Sequence, residues 1–290
     1  GNSDIFVPVD YSKIITQLTK CEYESVAPET LKFRDGTILR PSIETSLHAL
    51  MPHRYVIHVH SVSAIANVVL DDGKKIVTRL LNGIDWAWVP YVRPGLPLTR
   101  AVQKVMRSGL NVLVLGNHGL VLGADSMDEV FELLDELENR LYRLRREPSK
   151  LDEKELITLL RQTDYLPTKF SLVHSLAFDP IALSIMTKNP IYPDHIVFLG
   201  PGPMLIMTGD DLRDYLNRGG RNPEYKVIIV KDIGVIKHHT LSESAEEMLH
   251  CLANVLLRIQ AGEKLRHLTD QEEAEITGWD AEKFRMSKQK

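Results

Sequence analysis

The chain has 290 residues, 43% apolar and 26% charged, a balance that excludes disordered and fibrous classes and allows one large core or two smaller ones, with two the better expectation. A formal net charge of -4 gives no global attraction to phosphate backbones or acidic lipid, so neither nucleic acid nor membrane is expected as a partner. No apolar run nears the roughly 20 residues of a membrane-spanning helix and no basic-then-apolar leader opens the sequence, so a cytoplasmic protein is expected.

In chain order, the apolar stretch Ile5-Phe-Val-Pro-Val9, a helix over Tyr11–Thr19 and a turn at Phe33-Arg-Asp-Gly36 read as the remainder of something longer. Ile43–Met51 has helical spacing, and Pro52 marks a boundary. Tyr55–His60 alternates and is rich in β-branched residues, which predicts a strand running into a small-residue helix over Ser61–Leu70. After the turn at Asp71-Asp-Gly73 a strand is expected over Lys75–Leu80, then a Trp/Pro-rich loop over Asp85–Tyr91 and a helix over Thr99–Ser108. Leu110–Leu115 reads as a buried strand, followed by Gly116-Asn-His-Gly119 and a short strand at Leu120–Leu122. Asp125 or Ser126 can cap a helix continuing to about Arg146, and the arginines of Arg140–Arg146 read as a solvated end complementing the helix dipole.

The second half repeats this plan. Asn111–Leu141 lies without gaps over Lys226–Leu256, and Pro52–Val59 resembles Pro193–Gly200, a proline leading into an apolar strand. Two related halves follow, with domains expected at 1–150 and 151–264 and a helical tail at 265–290. That tail opens on the capping box Thr269-x-x-Glu272 and reaches Trp279–Arg285. In this alignment His58 falls on Leu199, His60 on Pro201 and His118 on Ile233, so the second half is expected to be structural.

Cys21 and Cys251 are too few for a disulfide framework or a thiolate metal site, which leaves metal chemistry to histidine. His58 and His60 stand two apart in a predicted strand, so both side chains leave one face with Cα atoms about 6.5–7 Å apart, a span one cation bridges. The bland alternative is two core or surface histidines. His118, between Asn117 and Gly119, interrupts two apolar segments where a loop must present something; an ordinary Asn-x-Gly hairpin turn is its alternative. Glu44, near a predicted helix start, reads either as capping chemistry or as a carboxylate moving a proton beside a metal-bound substrate. Gly200-Pro-Gly-Pro203 lacks the lysine of nucleotide loops and reads as a turn, and His238-His239 as surface.

Pro41-Ser-Ile-Glu44, His48, Val56-Ile-His-Val-His-Ser61 and Gly116-Asn-His-Gly-Leu-Val-Leu-Gly123 occur in an order and spacing that resembles the class II aldolase/adducin family over about Leu39–Arg146. The resemblance implies an α/β class: an α/β/α sandwich with a central, mainly antiparallel sheet, followed here by a related, degenerate α/β half. It also implies His58, His60 and His118 as ligands of one divalent metal, zinc first with Mn, Co, Ni or Fe open, and Glu44 as the acid/base. Ser42 matches a serine of the family's phosphate site; Asn117 and Tyr91 are further candidates for substrate contact, with core packing the alternative for Tyr91. The implied function is a lyase that cleaves a ketose 1-phosphate type of sugar phosphate through a metal-stabilised enediolate, in a homo-oligomer, tetramer favoured. Epimerase, dehydratase or decarboxylase chemistry on the same metal, or a non-catalytic adducin-like interaction protein, are the alternatives. The family's Gly-Asn-x-Ser phosphate loop either lies upstream of Gly1 or is lost, and Ile43 stands where a second serine is frequent.

Overall fold

A computed structural model describes residues 7–20, 41–147, 153–161, 163–218 and 225–278. The readings made for Phe33–Gly36 and Trp279–Arg285, the start of Ile5–Val9, and Cys21 lie outside these residues. In chain order the first half contains helix α1 (Tyr11–Lys20), α2 (Thr45–Leu50), strand β1 (Tyr55–Val59), α3 (Val62–Val68), α4 (Gly73–Leu80), β2 (Trp86–Val89), α5 (Leu96–Gln103), β3 (Val112–Leu115), β4 (Gly119–Ala124) and α6 (Met127–Leu141). The second contains α7 (Glu153–Leu159), β5 (Tyr165–Pro167), α8 (Ser171–His174), α9 (Pro180–Met186), α10 (Pro193–Leu199), β6 (Leu205–Met207), α11 (Gly209–Asn217), β7 (Val227–Val230), β8 (Gly234–His238), α12 (Glu243–Leu256) and α13 (Asp270–Thr277). No helix among the described residues is long and apolar enough to cross a membrane.

The residues fall into two compact units, one drawn from Gly1–His60 and Thr78–Arg140, the other from Ser61–Val77 and Leu141–Lys290. The division follows packing rather than chain order: Ser61–Val77 sits with the second unit although it precedes residue 150. Six consecutive residues of α3, Ser63–Val68, are buried on every side of the helix. Its Ile65 and Ala66, with Val69 and Leu70, join a core containing Leu249, Leu252 and Ala253 of α12.

The first unit is built on a sheet in the order β1-β4-β3-β2. β3 and β4 form a tight antiparallel hairpin, β1 adds antiparallel to β4, and β2 lies parallel to β3, the geometry that a crossover through α5 permits. Leu113, Leu115 and Val121 share one face and pack with Leu47 and Met51 from the α2 segment and Leu98 and Val102 of α5. This burial ties α2 to the face from which His58 projects, since His58 is paired with Val121.

The second unit repeats the arrangement: order β5-β8-β7-β6, antiparallel for β5 with β8 and for β8 with β7, parallel for β6 with β7. The overlay of Asn111–Leu141 on Lys226–Leu256 matches β3, β4 and α6 to β7, β8 and α12. The upstream overlay does not hold. Pro193–Leu199 is a helix, with Pro193 at its first turn, where a missing N–H costs nothing, and Asp194 beside it. By sheet position the counterpart of β1 is β5: His58 pairs with Val121, and Pro167 pairs with Ile236, the residue that the repeat sets on Val121. His58 therefore corresponds to Pro167, His60 to Lys169 and His118 to Ile233, and none of the three is a histidine.

Other expectations also change. Lys75–Leu80 is helical within α4, Val77 being fully buried while Lys74, Lys75 and Arg79 are exposed, a one-sided burial that suits a helix as well as a strand. Trp86–Val89, expected as loop, is the edge strand β2. α6 ends at Leu141 rather than near Arg146, and two of the arginines beyond it are not solvated: Arg143 forks onto both carboxylate oxygens of Glu263, and Arg146 onto those of Asp179. His238 is buried while His239 is exposed. The turn at Gly200–Pro203 holds, both of its glycines having positive φ, and so does the capping box of Thr269 and Glu272.

His195, on α10, is buried, and neither ring nitrogen meets a hydrogen-bond partner. Burial, with His267 nearby, pushes its pKa down to about 4. A folded-state value below the unfolded one means that the unfolded chain binds more protons, so stability is lost as pH falls below about 6.5. Denaturant titration of the second unit should show a loss of about 2 kcal/mol from this residue between pH 7.5 and 5, and His195→Leu should flatten that slope. An unchanged slope in the variant would refute the assignment.

Candidate metal centre

β1 presents His58 on its core-side face and ends at Val59; His60 follows immediately. The β3–β4 turn at the neighbouring strand end carries His118. The His118 N–H donates to the Leu115 carbonyl at 3.2 Å, and Asn117, between them, has φ +52°, a left-handed conformation that asparagine tolerates better than most residues. Asn117 is buried at the turn. Gly116 lies against Trp88 and the backbone of Tyr91, so the Pro90-Tyr91 loop runs beside this turn.

The three imidazoles meet. Nε2 of His58 lies 3.0 Å from Nε2 of His60 and 3.3 Å from Nε2 of His118, and the ring centroids form a nearly equilateral triangle with sides of 4.8–4.9 Å. Bonds of about 2.0–2.1 Å to one zinc-sized ion at near-tetrahedral angles would set neighbouring nitrogens roughly 3.0–3.4 Å apart, so this donor set fits such an ion. His58 Nδ1 is 2.8 Å from the Leu120 carbonyl oxygen. A carbonyl only accepts, so Nδ1 carries the proton and Nε2 turns its lone pair toward the cluster, the tautomer a ligand requires.

Glu44 stands at the head of α2, where it makes no side-chain cap. The capping work falls to Ser42, whose exposed hydroxyl accepts the Glu44 N–H at 3.3 Å and whose carbonyl accepts from the Thr45 N–H and hydroxyl. The Glu44 carboxylate instead lies 3.5 Å from Nε2 of His58 and 3.7 Å from that of His118, its side chain only 16% exposed. His48, one turn along α2, feels both groups: burial lowers its pKa, the Glu44 charge opposes that and His58 adds to it. The structure thus brings His58, His60, His118 and Glu44 together. Ser42 and Asn117 are engaged in local backbone structure, and Tyr91 is half-buried. Reading the sequence missed the Leu120 carbonyl, a main-chain group with no side-chain signature.

Fold and site define an α/β domain that presents a three-histidine centre able to hold a divalent cation. Residues 9–143 match the model of the Class II Aldolase and Adducin N-terminal domain. A stretch of 95 residues is 34% identical to the uncharacterized oxidoreductase YuxG of Bacillus subtilis (strain 168), covering 32% of this chain but 14% of the relative's length. The N-terminal class II aldolase domain of a conserved protein from Thermoplasma acidophilum is similar at 21% identity and a TM-score of 0.40, over 47% of this chain and 64% of that one.

The turn conformation is open to test. Asn117→Gly should leave stability within about 1 kcal/mol, whereas Asn117→Val, which resists positive φ, should cost about 2 kcal/mol in denaturant titration. Equal losses would mean that the Asn117 side chain, not its backbone angle, matters.

Proposed function

We propose that this domain is a metal-dependent lyase that cleaves a small sugar phosphate of the ketose 1-phosphate type by a retro-aldol reaction. The observation that carries the reading is the convergence of three imidazoles, with Nε2 of His58 within hydrogen-bond distance of Nε2 of both His60 and His118, beside a mostly buried carboxylate. His58, His60 and His118 would hold the metal, with zinc first among the candidates because imidazole nitrogen suits it and its near neighbours. A divalent cation held there supplies a Lewis acid for a substrate carbonyl oxygen.

The remaining chemistry falls to the chain. As the carbon–carbon bond breaks, the hydroxyl on the departing carbon loses its proton and its oxygen becomes the aldehyde carbonyl. The electron pair of the broken bond passes into the carbonyl-bearing fragment, and Glu44 gives a proton to the carbon that has gained the pair. The Glu44 side chain is only 16% exposed, caps no helix N–H and lies 3.5 Å from Nε2 of His58, where a metal-bound substrate would stand. Ser42, exposed two residues before Glu44, is the candidate contact for a substrate phosphate.

Elemental analysis of protein purified without chelators should find about one transition metal per chain, lost in His58→Ala and His118→Ala. A panel of ketose 1-phosphates should then yield dihydroxyacetone phosphate with one member. Glu44→Gln should keep the metal and lose 10²-fold or more in turnover, roughly the contribution of a general acid/base. Interconversion of epimers without cleavage would move the reading to an epimerase, and metal-free protein that takes up no metal would end it.

A further inference from the structure

Gly119 opens β4 directly opposite the point where the chain leaves β1. A β-carbon built there collides with the Val59 carbonyl oxygen and stands 3.2 Å from the His60 ring. The obstruction is main chain, which cannot swing aside as a flexible side chain would. His58 is held by the Leu120 carbonyl and His118 by its turn, whereas His60 lies one residue beyond the last ladder pair, Val59 with Leu120. Its place therefore follows the closure of the Val59–His60 peptide over Gly119. Farther along β4, Gly123 is equally crowded, but there a β-carbon would run into the His53 ring rather than a member of the cluster.

From this geometry we infer that Gly119 is a positioning residue for the metal centre: by lacking a β-carbon it lets the end of β1 close far enough to bring His60 to the other two histidines. The inference rests on the metal reading above and adds a residue that touches neither metal nor substrate. Adding a methyl group at 119 displaces one ligand of three and leaves His58 and His118 in place.

Cobalt(II) titration followed by visible absorption tests this without any activity assay. Gly119→Ala should weaken binding 10- to 100-fold, as loss of an outer support for a ligand commonly does, and should reduce the intense tetrahedral absorption. Gly123→Ala should stay within about twofold of the parent. In a His60→Ala background, Gly119→Ala should add less than about twofold, because the residue through which it acts is gone. An unchanged affinity and spectrum, or an equal further loss without His60, overturns the inference while leaving the metal reading intact; a parent chain that binds no cobalt overturns both. Should Gly119→Ala not fold, hydrogen exchange in the parent decides. Metal should slow exchange at the amides of His60 and Gly119, and no change at that strand end refutes the inference.

Discussion

The pairing of β1 with β4 is the constraint on which the site depends. Side chains alternate across a strand, so the register that sets His58 beside Val121 also sends His60 to the same side, at the strand end where the β3–β4 turn presents His118. A slip of one residue would turn both histidines to the opposite face and leave His118 alone. The same ladder supplies the Leu120 carbonyl that fixes the His58 tautomer, so one set of backbone contacts determines both where His58 stands and which nitrogen it turns toward the cluster. The fourth group arrives independently: α2 is anchored by Leu47 in the core, with Met51 just after it, and its first turn carries Glu44 over the cluster.

The second unit shows what the architecture needs and what it does not. It keeps the strand order, the pairing senses and even the left-handed turn residue, Asp232 at φ +61° standing where the first unit has Asn117. Ile233 then packs with an apolar cluster where the first unit has His118, and Pro167 and Lys169 stand in place of His58 and His60. A buried histidine that serves structure looks different: in His174, Nδ1 accepts the Val235 N–H and Nε2 lies 3.2 Å from the Thr168 carbonyl, so both nitrogens are spent on backbone. In the first unit the Nε2 atoms of three rings are turned toward one another. Since the same fold forms without them, packing does not account for that convergence.

Much of this was legible because it rests on short-range periodicity. A two-residue spacing in a β-branched run gave the common face of His58 and His60, and Asn-His-Gly between apolar segments gave the turn. The halves were recognisable where β-hairpin and capped helix recur without gaps. Legibility failed where a short apolar run suits either period. The α4 segment suggests a strand because Lys75–Leu80 carries Ile76 and Val77 together, and the α10 segment because Pro193 precedes an apolar run, yet a proline starts a helix as readily as it precedes a strand. Taking α10 for a strand shifts the counterparts of His58 and His60 by more than thirty residues, from Pro167 and Lys169 to Leu199 and Pro201. Nor does any pattern in the sequence announce that α3 packs with the second unit, since a helix buried on every side carries no polar stripe to orient it.

Glu44 illustrates why a structural and a functional reading of one residue can be separated by geometry. Serine, threonine, aspartate and asparagine are the side chains that reach the free N–H groups of a helix start, a bond contributing about 1 kcal/mol. The longer glutamate at this position makes no such bond, and Ser42 takes over part of the task from outside the helix. What the helix start gives up in capping is thus matched by a carboxylate 3.5 Å from His58, where the Nε2 atoms of His58, His60 and His118 converge.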